Sequence, residues 1–538
     1  MSYPIDDSQL GAEENLLMKP FHFEIEDNFR NRGNHCIHMW CKSNHDPLKT
    51  FLLRVNHFPV SLCIELPNYT ADTQEPIPWT TDLCAKVYDY FVWCMNAKKK
   101  DPPYSFRMER KHDIYYFSPI KKSYLYFFFQ TEDGMKATAT MCSRMRNIRG
   151  IGNLNLICHE KSVNSIRKMM SLQKCSYSQW FNVTGRYVPL NYEDRASTSK
   201  IEEYFIDWQT ITPVDMNLHI NPTIAVFDIE TYSTNFRAMP SSYNLDHCIY
   251  LISIVFSVLN QPETKKKICI IFGNCNEVED ATIIRTSSEI ECLNKFAEVI
   301  QELDPDLISG YNIFGYDFSY MINRYNIYGI PLPPMGRIIN RKTNVYDKTW
   351  ASSAYGKNSI TFIVMEGRIP VDLYPNIKRL FKLRKYNLDF VSKHFLGRGK
   401  HDVSAREMFE IYANSLEQNP KSIKEMTKVL AYCIEDSNLV LDLFDKVNIW
   451  YHLSELSAVS GVRILDLFIS GEQIRCYSQI YNQCYLRGFA LSNPRHYDYY
   501  YSGAYVADPI KGLHEHVLTF DFSSLYPSIM QAYNLCYT

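Results

Sequence analysis

The stretch that most constrains this chain is Thr223-Ile-Ala-Val-Phe-Asp-Ile-Glu-Thr-Tyr232. After Pro222, the run from Ile224 to Phe227 is β-branched and aromatic, the make-up of a buried strand. That strand leads straight into Asp228 and Glu230. Residues two apart on a strand point to one face. Two carboxylates there repel each other and lose hydration, so a positive charge belongs between them, and hard divalent cations take oxygen ligands. Taken alone, the pair reads better as two solvated acids at a strand end. Acids elsewhere in the chain shift the balance.

From Pro222 the pattern is α/β. Ile249 to Val258 and Lys267 to Phe272 read as strands, and Ser288 to Leu303 as a helix stopped by Pro305. Leu307 and Ile308 open another strand, a Gly turn follows, and a helix starts near Asp317. Asn312 and Asp317 therefore fall at a strand-to-helix junction, where α/β sheets hold ligands, although each reads singly as a helix-capping residue. Arg341 to Ser359 is polar and reads as a long hairpin or loop. Ile360 to Val364 and Ile369 to Leu373 read as strands, with Asp372 between apolar neighbours. Lys428 to Leu443 is an amphipathic helix on which Tyr432 and Asp436, four apart, share a face. Asp228, Glu230, Asp317 and Asp436, with the Tyr432 phenol, would suit two divalent ions at a phosphodiester-cleaving site. One ion lowers the pKa of a water, and the pair clamps the attacking and leaving oxygens.

The rest of the chain is less chemical. Residues 1–20 read as a mobile tail and 21–220 as a mixed α+β domain, with Leu52 to Leu66 and Tyr124 to Gln130 as its clearest strands and Ala137 to Arg146 as a helix. The alternating Tyr124, Tyr126 and Phe128 suit either base stacking or a sheet face packed on a core, and the core is the commoner use. A length of 538 residues allows three or four domains. A net charge of −2 gives no global nucleic-acid signature, but basic residues cluster at Lys98 to Lys100, Lys121 and Lys122, Arg144 to Arg149 and Lys378 to Lys385. Sixteen unpaired-looking cysteines suit a reducing compartment. His35, Cys36, His38 and Cys41 lack the second pair that a zinc finger needs. The acidic start is no secretory signal, and the longest apolar run, Tyr250 to Leu259, is about half the ~20 residues that cross a bilayer. The expectation is a soluble intracellular protein without a membrane partner.

Asp228-Ile-Glu-Thr231, Asn312-x4-Asp317 and Tyr432-x3-Asp436, in this order, resemble the three motifs of a proofreading 3′–5′ exonuclease domain. Asp521-Phe-Ser-Ser-Leu-Tyr-Pro-Ser-Ile529 resembles the first palm motif of family B DNA polymerases, and the following Met530 to Thr538 is similar to the delta branch, shared by many large DNA viruses of eukaryotes. Tyr501-Ser-Gly-Ala-Tyr505 resembles the Tyr-x-Gly-Gly/Ala motif of the family, and Arg384 to Gly397 its delta-type exonuclease insert.

The resemblance implies an α/β and α+β multidomain chain. A ribonuclease H-like exonuclease domain would occupy 221–455, connecting helices 456–490 and the start of a palm 491–538. Asp228 would bridge two Mg²⁺ ions, with Mn²⁺ as a substitute. Glu230 and Asp436 would bind the ion carrying the attacking water, which Tyr432 orients, and Asp317 would hold the other ion through water. Asn312 and Phe318 would line the unpaired primer end, and Tyr501 and Gly503 would approach the template. In the palm, Asp521 would be a catalytic metal ligand. Phe522, Ser523, Ser524, Leu525 and Tyr526 would face the incoming nucleotide, with Tyr526 excluding a 2′-hydroxyl by shape.

Implied partners are primer–template DNA, single-stranded 3′ ends, deoxynucleoside triphosphates in the full-length protein, and a sliding clamp or accessory subunits. The implied place of work is the nucleus or a viral replication site. The fingers motif, the second palm aspartate and the thumb do not occur before Thr538, which reads as a fragment or a split polymerase. Two rivals stand beside this reading: a stand-alone exonuclease or repair nuclease with a vestigial palm, and a non-catalytic DNA-binding replication subunit. The presence of all four acids weighs against the second.

Overall fold

The computed structural model describes residues 9–26, 35–46, 48–114, 119–352, 356–400, 403–416, 420–491 and 502–535. Its residues group into two units, one of 1–58 with 165–479 and one of 59–164 with 480–538. The stretch 21–220, expected as one domain, is divided between them.

Strands β1 (Glu13–Glu26), β2 (Cys36–Ser43) and β3 (Phe51–Asn56) open the first unit. The expected tail is thus corrected from Glu13 onward. Leu16, Met18, Phe21 and Phe23 bury their side chains, and that apolar run ties the segment into a sheet. The strand expected from Leu52 to Leu66 is broken in two. His57 takes a positive φ of 65° and Pro59 follows, which together turn the chain out of the first unit.

The second unit then runs β4 (Val60–Glu65), α1 (Thr81–Ala97), β5 (Ser105–Asp113), β6 (Lys122–Phe129), α2 (Glu132–Cys142), a short hairpin of β7 (Arg146–Ile148) and β8 (Gly152–Leu154), and β9 (Ile157–His159). The hydrogen-bonded order is β5-β6-β4-β9, and the short strand Phe489–Ala490 pairs parallel to β5 as a fifth member. Leu125, Phe127 and Phe129 of β6 pack under Val87, Phe91 and Met95 of α1 and Met135 and Met141 of α2. Tyr124 and Tyr126 face the other way and are also buried, with Cys63 and Ala490. The two tyrosines are core, and the half-buried Phe128 packs against them. Helix α2 starts earlier and ends sooner than the expected 137–146. Thr131 caps it by accepting from the Gly134 N–H, and Arg146 opens β7 instead.

Back in the first unit, α3 (Ser165–Leu172), β10 (Phe181–Tyr187), β11 (Glu202–Ile206) and β12 (Thr212–Pro213) complete a six-stranded sheet, ordered β1-β2-β3-β11-β10-β12, in which β1 also pairs with β10. A second six-stranded sheet follows. It comprises β13 (Thr223–Tyr232), β14 (Cys248–Val258), β15 (Gln261–Phe272), β16 (Ala281–Thr286), β17 (Leu307–Gly310) and, after the hairpin β18 (Val345–Ser352) and β19 (Gly356–Ile363), β20 (Ile369–Asp372). Its order is β16-β15-β14-β13-β17-β20, with β13 antiparallel to β14 and parallel to β17. Helices α4 (Glu289–Leu303), α5 (Asp317–Ile327), α6 (Leu373–Leu380), α7 (Leu388–Leu396), α8 (Ala405–Ser415) and α9 (Pro420–Lys446) belong to the same unit. Gly310 lets β17 close on β13, since a Cβ there would sit 2.7 Å from the Phe227 carbonyl oxygen.

A buried ionic knot joins the two sheets. Asp306, just before β17, pairs with Lys42 of β2 at 2.7 Å and with Arg337 at 2.9 Å. It also accepts from the Thr50 hydroxyl at 2.8 Å and the Thr223 N–H at 2.9 Å.

Candidate active site

Strand β13 carries Asp228 and Glu230 on the same side of the sheet, both half-buried, and its pairing with β14 shifts register just after Glu230. Opposite Asp228 in the ladder lies Ser253, whose hydroxyl meets Ser437 Oγ at 2.7 Å and donates to the Cys433 carbonyl at 3.1 Å. Those bonds fix the rotation of α9 against β14, and the face so presented carries Tyr432, Cys433 and Asp436. The Cys433 thiol donates to Glu230 Oε1 at 3.3 Å. One oxygen from each of Asp228, Glu230 and Asp436 lies within 4.8 Å of the others, the one His, Cys, Asp or Glu group of this kind among the described residues. His35, Cys36, His38 and Cys41 form none.

The electrostatics of the cluster are those of acids short of positive charge. Burial, with Asp436 as a neighbour, pushes Asp228 up to about 6 despite Lys400. Burial and Asp228 push Glu230 up to about 8. Burial also raises Asp436, against the pull of Lys400. Both Asp436 oxygens are buried without a hydrogen bond of good geometry. The Lys400 ammonium stands 2.7 Å from Oδ2, and 5.5 Å from the centre of the Tyr432 ring. Three converging carboxylates, with Asp436 Oδ1 buried and unpartnered, fit a divalent cation with oxygen ligands.

Asp317, at the start of α5, is buried outside this group of three and accepts from the Ile229 N–H at 3.3 Å. Burial and the Asp228 charge raise its pKa well above the ordinary carboxylate value. Asn312 is exposed at a φ of 67°. Phe318 requires a correction. It is fully buried with its ring edge-on to Phe227 at 5.3 Å, because the helix that places Asp317 at the site turns the next residue into the core. It cannot line a DNA end from there.

In the second unit, Gly503 and the run Asp521 to Tyr526 are exposed, with Leu525 opening the helix Leu525–Tyr533. Tyr501 lies outside the described residues.

Two residues escaped the sequence reading. Asp372 was noted only as an acid among apolar neighbours. It caps α6 and accepts from the N–H groups of Asn312 and Phe314, which pins the loop leading to Asp317. Burial outweighs those bonds and pushes it up to about 7. Lys400 gave no periodic signal, being one lysine in a loop. Its position comes from Asp389 of α7, which accepts from the Lys400 N–H, and from Gly399, where a Cβ would stand 2.3 Å from the same carboxylate.

Comparison with known proteins adds an independent line. The family described as "DNA polymerase family B, exonuclease domain" matches residues 157–391, and "DNA polymerase family B" matches 462–538. The chain belongs to the family B DNA polymerases. The first match includes Asp228, Glu230 and Asp317 and stops before Tyr432 and Asp436, while Asp521 lies in the second. Among relatives of this family B chain, "DNA polymerase 120R" of Invertebrate iridescent virus 3 is 31% identical over 73% of the chain and 36% of the relative. "DNA polymerase delta catalytic subunit" of Plasmodium falciparum is 30% identical over the same shares, 73% and 36%. The chain thus spans about a third of the length of these relatives. A solved family B DNA polymerase from Pyrobaculum calidifontis shares the fold at a TM-score of 0.64, with 17% identity over 97% of this chain and 57% of that one. No described helix is long and apolar enough to cross a membrane.

Proposed function

We propose that the β13–α9 site is a metal-dependent 3′–5′ exonuclease acting on single-stranded DNA ends. The convergence of Asp228, Glu230 and Asp436 carries this reading. Mg²⁺ or Mn²⁺ held by these acids, with Asp317 beside them, would activate water and neutralise charge at the scissile phosphate. Tyr432, on the same helical face as Asp436, orients the attacking water. Lys400 balances part of the cluster's charge from its partly exposed side and donates toward a bound phosphate. Asp372 sets the loop that presents Asn312.

For the whole protein, the delta-like names of the relatives support replicative DNA synthesis, at a nuclear or viral replication site. Asp521 would be a palm metal ligand there, and Phe522 to Tyr526 the nucleotide face. Tyr501 and Gly503 would lie near the template, and a clamp or accessory subunit would complete the assembly.

The direct test uses a 5′-labelled single-stranded oligonucleotide. The 538-residue chain is expected to shorten it stepwise from the 3′ end with Mg²⁺ or Mn²⁺ and to stop in EDTA. An intact oligonucleotide after incubation with folded, metal-supplied protein would sink the proposal.

Tyr432→Phe separates orientation from metal binding. It keeps the ring and removes the hydroxyl, so cleavage should slow by roughly 10²-fold or less while metal affinity holds. Calorimetric titration with Mn²⁺ checks the second half. A metal affinity lowered as far as in Asp436→Ala would assign Tyr432 a different role.

A further inference from the structure

The second unit carries a cationic surface that the exonuclease reading does not use. Two basic runs some forty residues apart in sequence, Lys98 to Lys100 and Arg144 to Arg149, meet where α1 and α2 end. Between them lies a cavity of about 420 Å³ whose lining includes Lys98, Lys100, Arg144, Arg146, Thr140 and Ser143, and no acidic residue. The acids of the two helices sit earlier, at Asp82 and Asp89 in α1 and at Glu132 and Asp133 in α2.

Lysines and arginines often serve helix C-termini, where they offset the dipole. Arg146 does so, donating through Nε to the Met141 carbonyl oxygen at 2.7 Å. The end of α1 is already closed by backbone, with the Lys98 N–H on the Cys94 and Met95 carbonyls and the Lys100 N–H on Met95. The Lys98 and Lys100 ammonium groups are therefore spare. Among the described residues neither they nor Arg144 makes an ion pair with a carboxylate, and all three are exposed. In a chain of net charge −2, this concentration is local and not the overflow of a basic composition.

A second feature narrows the ligand. Lys86, Tyr90 and Trp93 follow one another at helical spacing on one face of α1. Trp93 is 69% exposed, and the Tyr90 hydroxyl is in electrostatic contact with Arg146. Lys86 Nζ lies 3.1 Å from the point a Cβ on Gly150 would occupy, so this face runs on to the β7–β8 hairpin and the Arg144–Arg149 run. An exposed indole one helical turn from the Tyr90–Arg146 contact, on a unit whose neighbouring surface is cationic, suits a single strand, with phosphates on the charges and a base on the ring.

We propose that the C-terminal ends of α1 and α2 form a binding site for single-stranded DNA, engaged through its phosphates by Lys98, Lys100 and Arg144 and through a base by Trp93. The site goes beyond the exonuclease and does not depend on it.

The test uses the full chain carrying Asp228→Ala and Glu230→Ala, in EDTA, so that nothing is degraded. Anisotropy of a fluorescein-labelled dT20 gives affinity against salt. Adding Lys98→Glu and Arg144→Glu should weaken binding about tenfold or more at 0.1 M salt and flatten the log–log salt slope by about 1.4, two single-strand contacts at about 0.7 each. Trp93→Ala should weaken binding several-fold with an unchanged slope and remove the quenching of tryptophan emission by dT20. These positions are exposed, so melting temperatures should hold. If the charge reversal lowers them, Lys98→Ala with Lys100→Ala reads the same slope. Unchanged affinity and slope in the charge variants overturn the proposal. So does polyglutamate or inorganic phosphate competing as well as unlabelled dT20, which would mark a general anion surface. Any binding at the exonuclease site is common to all arms, so the differences report this surface alone.

Discussion

Asp228→Ala combined with Glu230→Ala is expected to abolish 3′ degradation while leaving a folded protein that is at least as stable without metal. The two acids supply two of the three converging ligands, and Asp436 alone cannot hold an ion in place. The stability half follows from their environment. Both pKa values are raised in the folded chain, to about 6 and about 8, first by burial and then by neighbouring acids. A raised carboxyl favours its neutral form, so the native state loses stability as pH rises through these values and the acids ionise. The variant has neither group to ionise. Its melting temperature should therefore equal or exceed that of the parent in EDTA, with the larger gain at pH 8 than at pH 6. Added Mg²⁺ should stabilise the parent and leave the variant unmoved, because only a ligand of the native state shifts melting. Nuclease activity near that of the parent in a clean preparation would place the site elsewhere.

The part of this site legible in sequence is the part with a short period. Asp228 and Glu230 are two apart on a strand, and Tyr432 and Asp436 four apart on a helix, so local geometry alone put each pair on one face. Their meeting was read from motif order and not from physics. The structure supplies the cause in Ser253 and Ser437, a hydroxyl pair that fixes how α9 turns against β14. Two serines among apolar residues carry no such signal in sequence. Lys400 and Asp372 were missed for a related reason. Their importance lies in what loops bring near them, and loops have no period. Phe318 was misplaced by carrying a role over from the resemblance to a residue whose neighbour, Asp317, already uses the site-facing side of α5.

The fold shows the same division. Five of the six strands of the α/β sheet were readable because each contains an apolar run, while the half-exposed edge strand β16 and the polar start of β15 carried no such signal. Glu13 to Glu26 was not, because an acidic, mixed start hides the four large apolar residues that anchor it. Nor could composition reveal that the chain leaves the first unit at His57 and returns near Ser165, since no linker marks either point.

The second large effect should come from the ionic knot that joins the two sheets of the first unit. Asp306, Lys42 and Arg337 are each fully buried. Burial would raise the Asp306 carboxyl, but Lys42 and Arg337, with the Thr223 N–H, hold it well below the usual carboxylate range. Burial pulls the Lys42 ammonium down even with Asp306 beside it, so Lys42 is the partner that least tolerates losing the other. Asp306→Ala should cost about 3–5 kcal/mol, since it leaves the buried Lys42 uncompensated, although Arg337 keeps Asp304, and it strands the Thr50 and Thr223 donors. Lys42→Met added to Asp306→Ala should restore part of that loss, because the worst orphaned charge goes with it. The pH dependence has a definite sign. A depressed carboxyl stabilises the fold above its unfolded pKa, near 4, and that contribution fades as pH falls further. The gap between parent and Asp306→Ala should therefore be constant from pH 7 to 5 and narrow below about 4. Urea unfolding at several pH values, followed by tryptophan emission, measures all three. Additive losses in the double variant, or a gap that does not narrow in acid, would show that the knot is not held by charge.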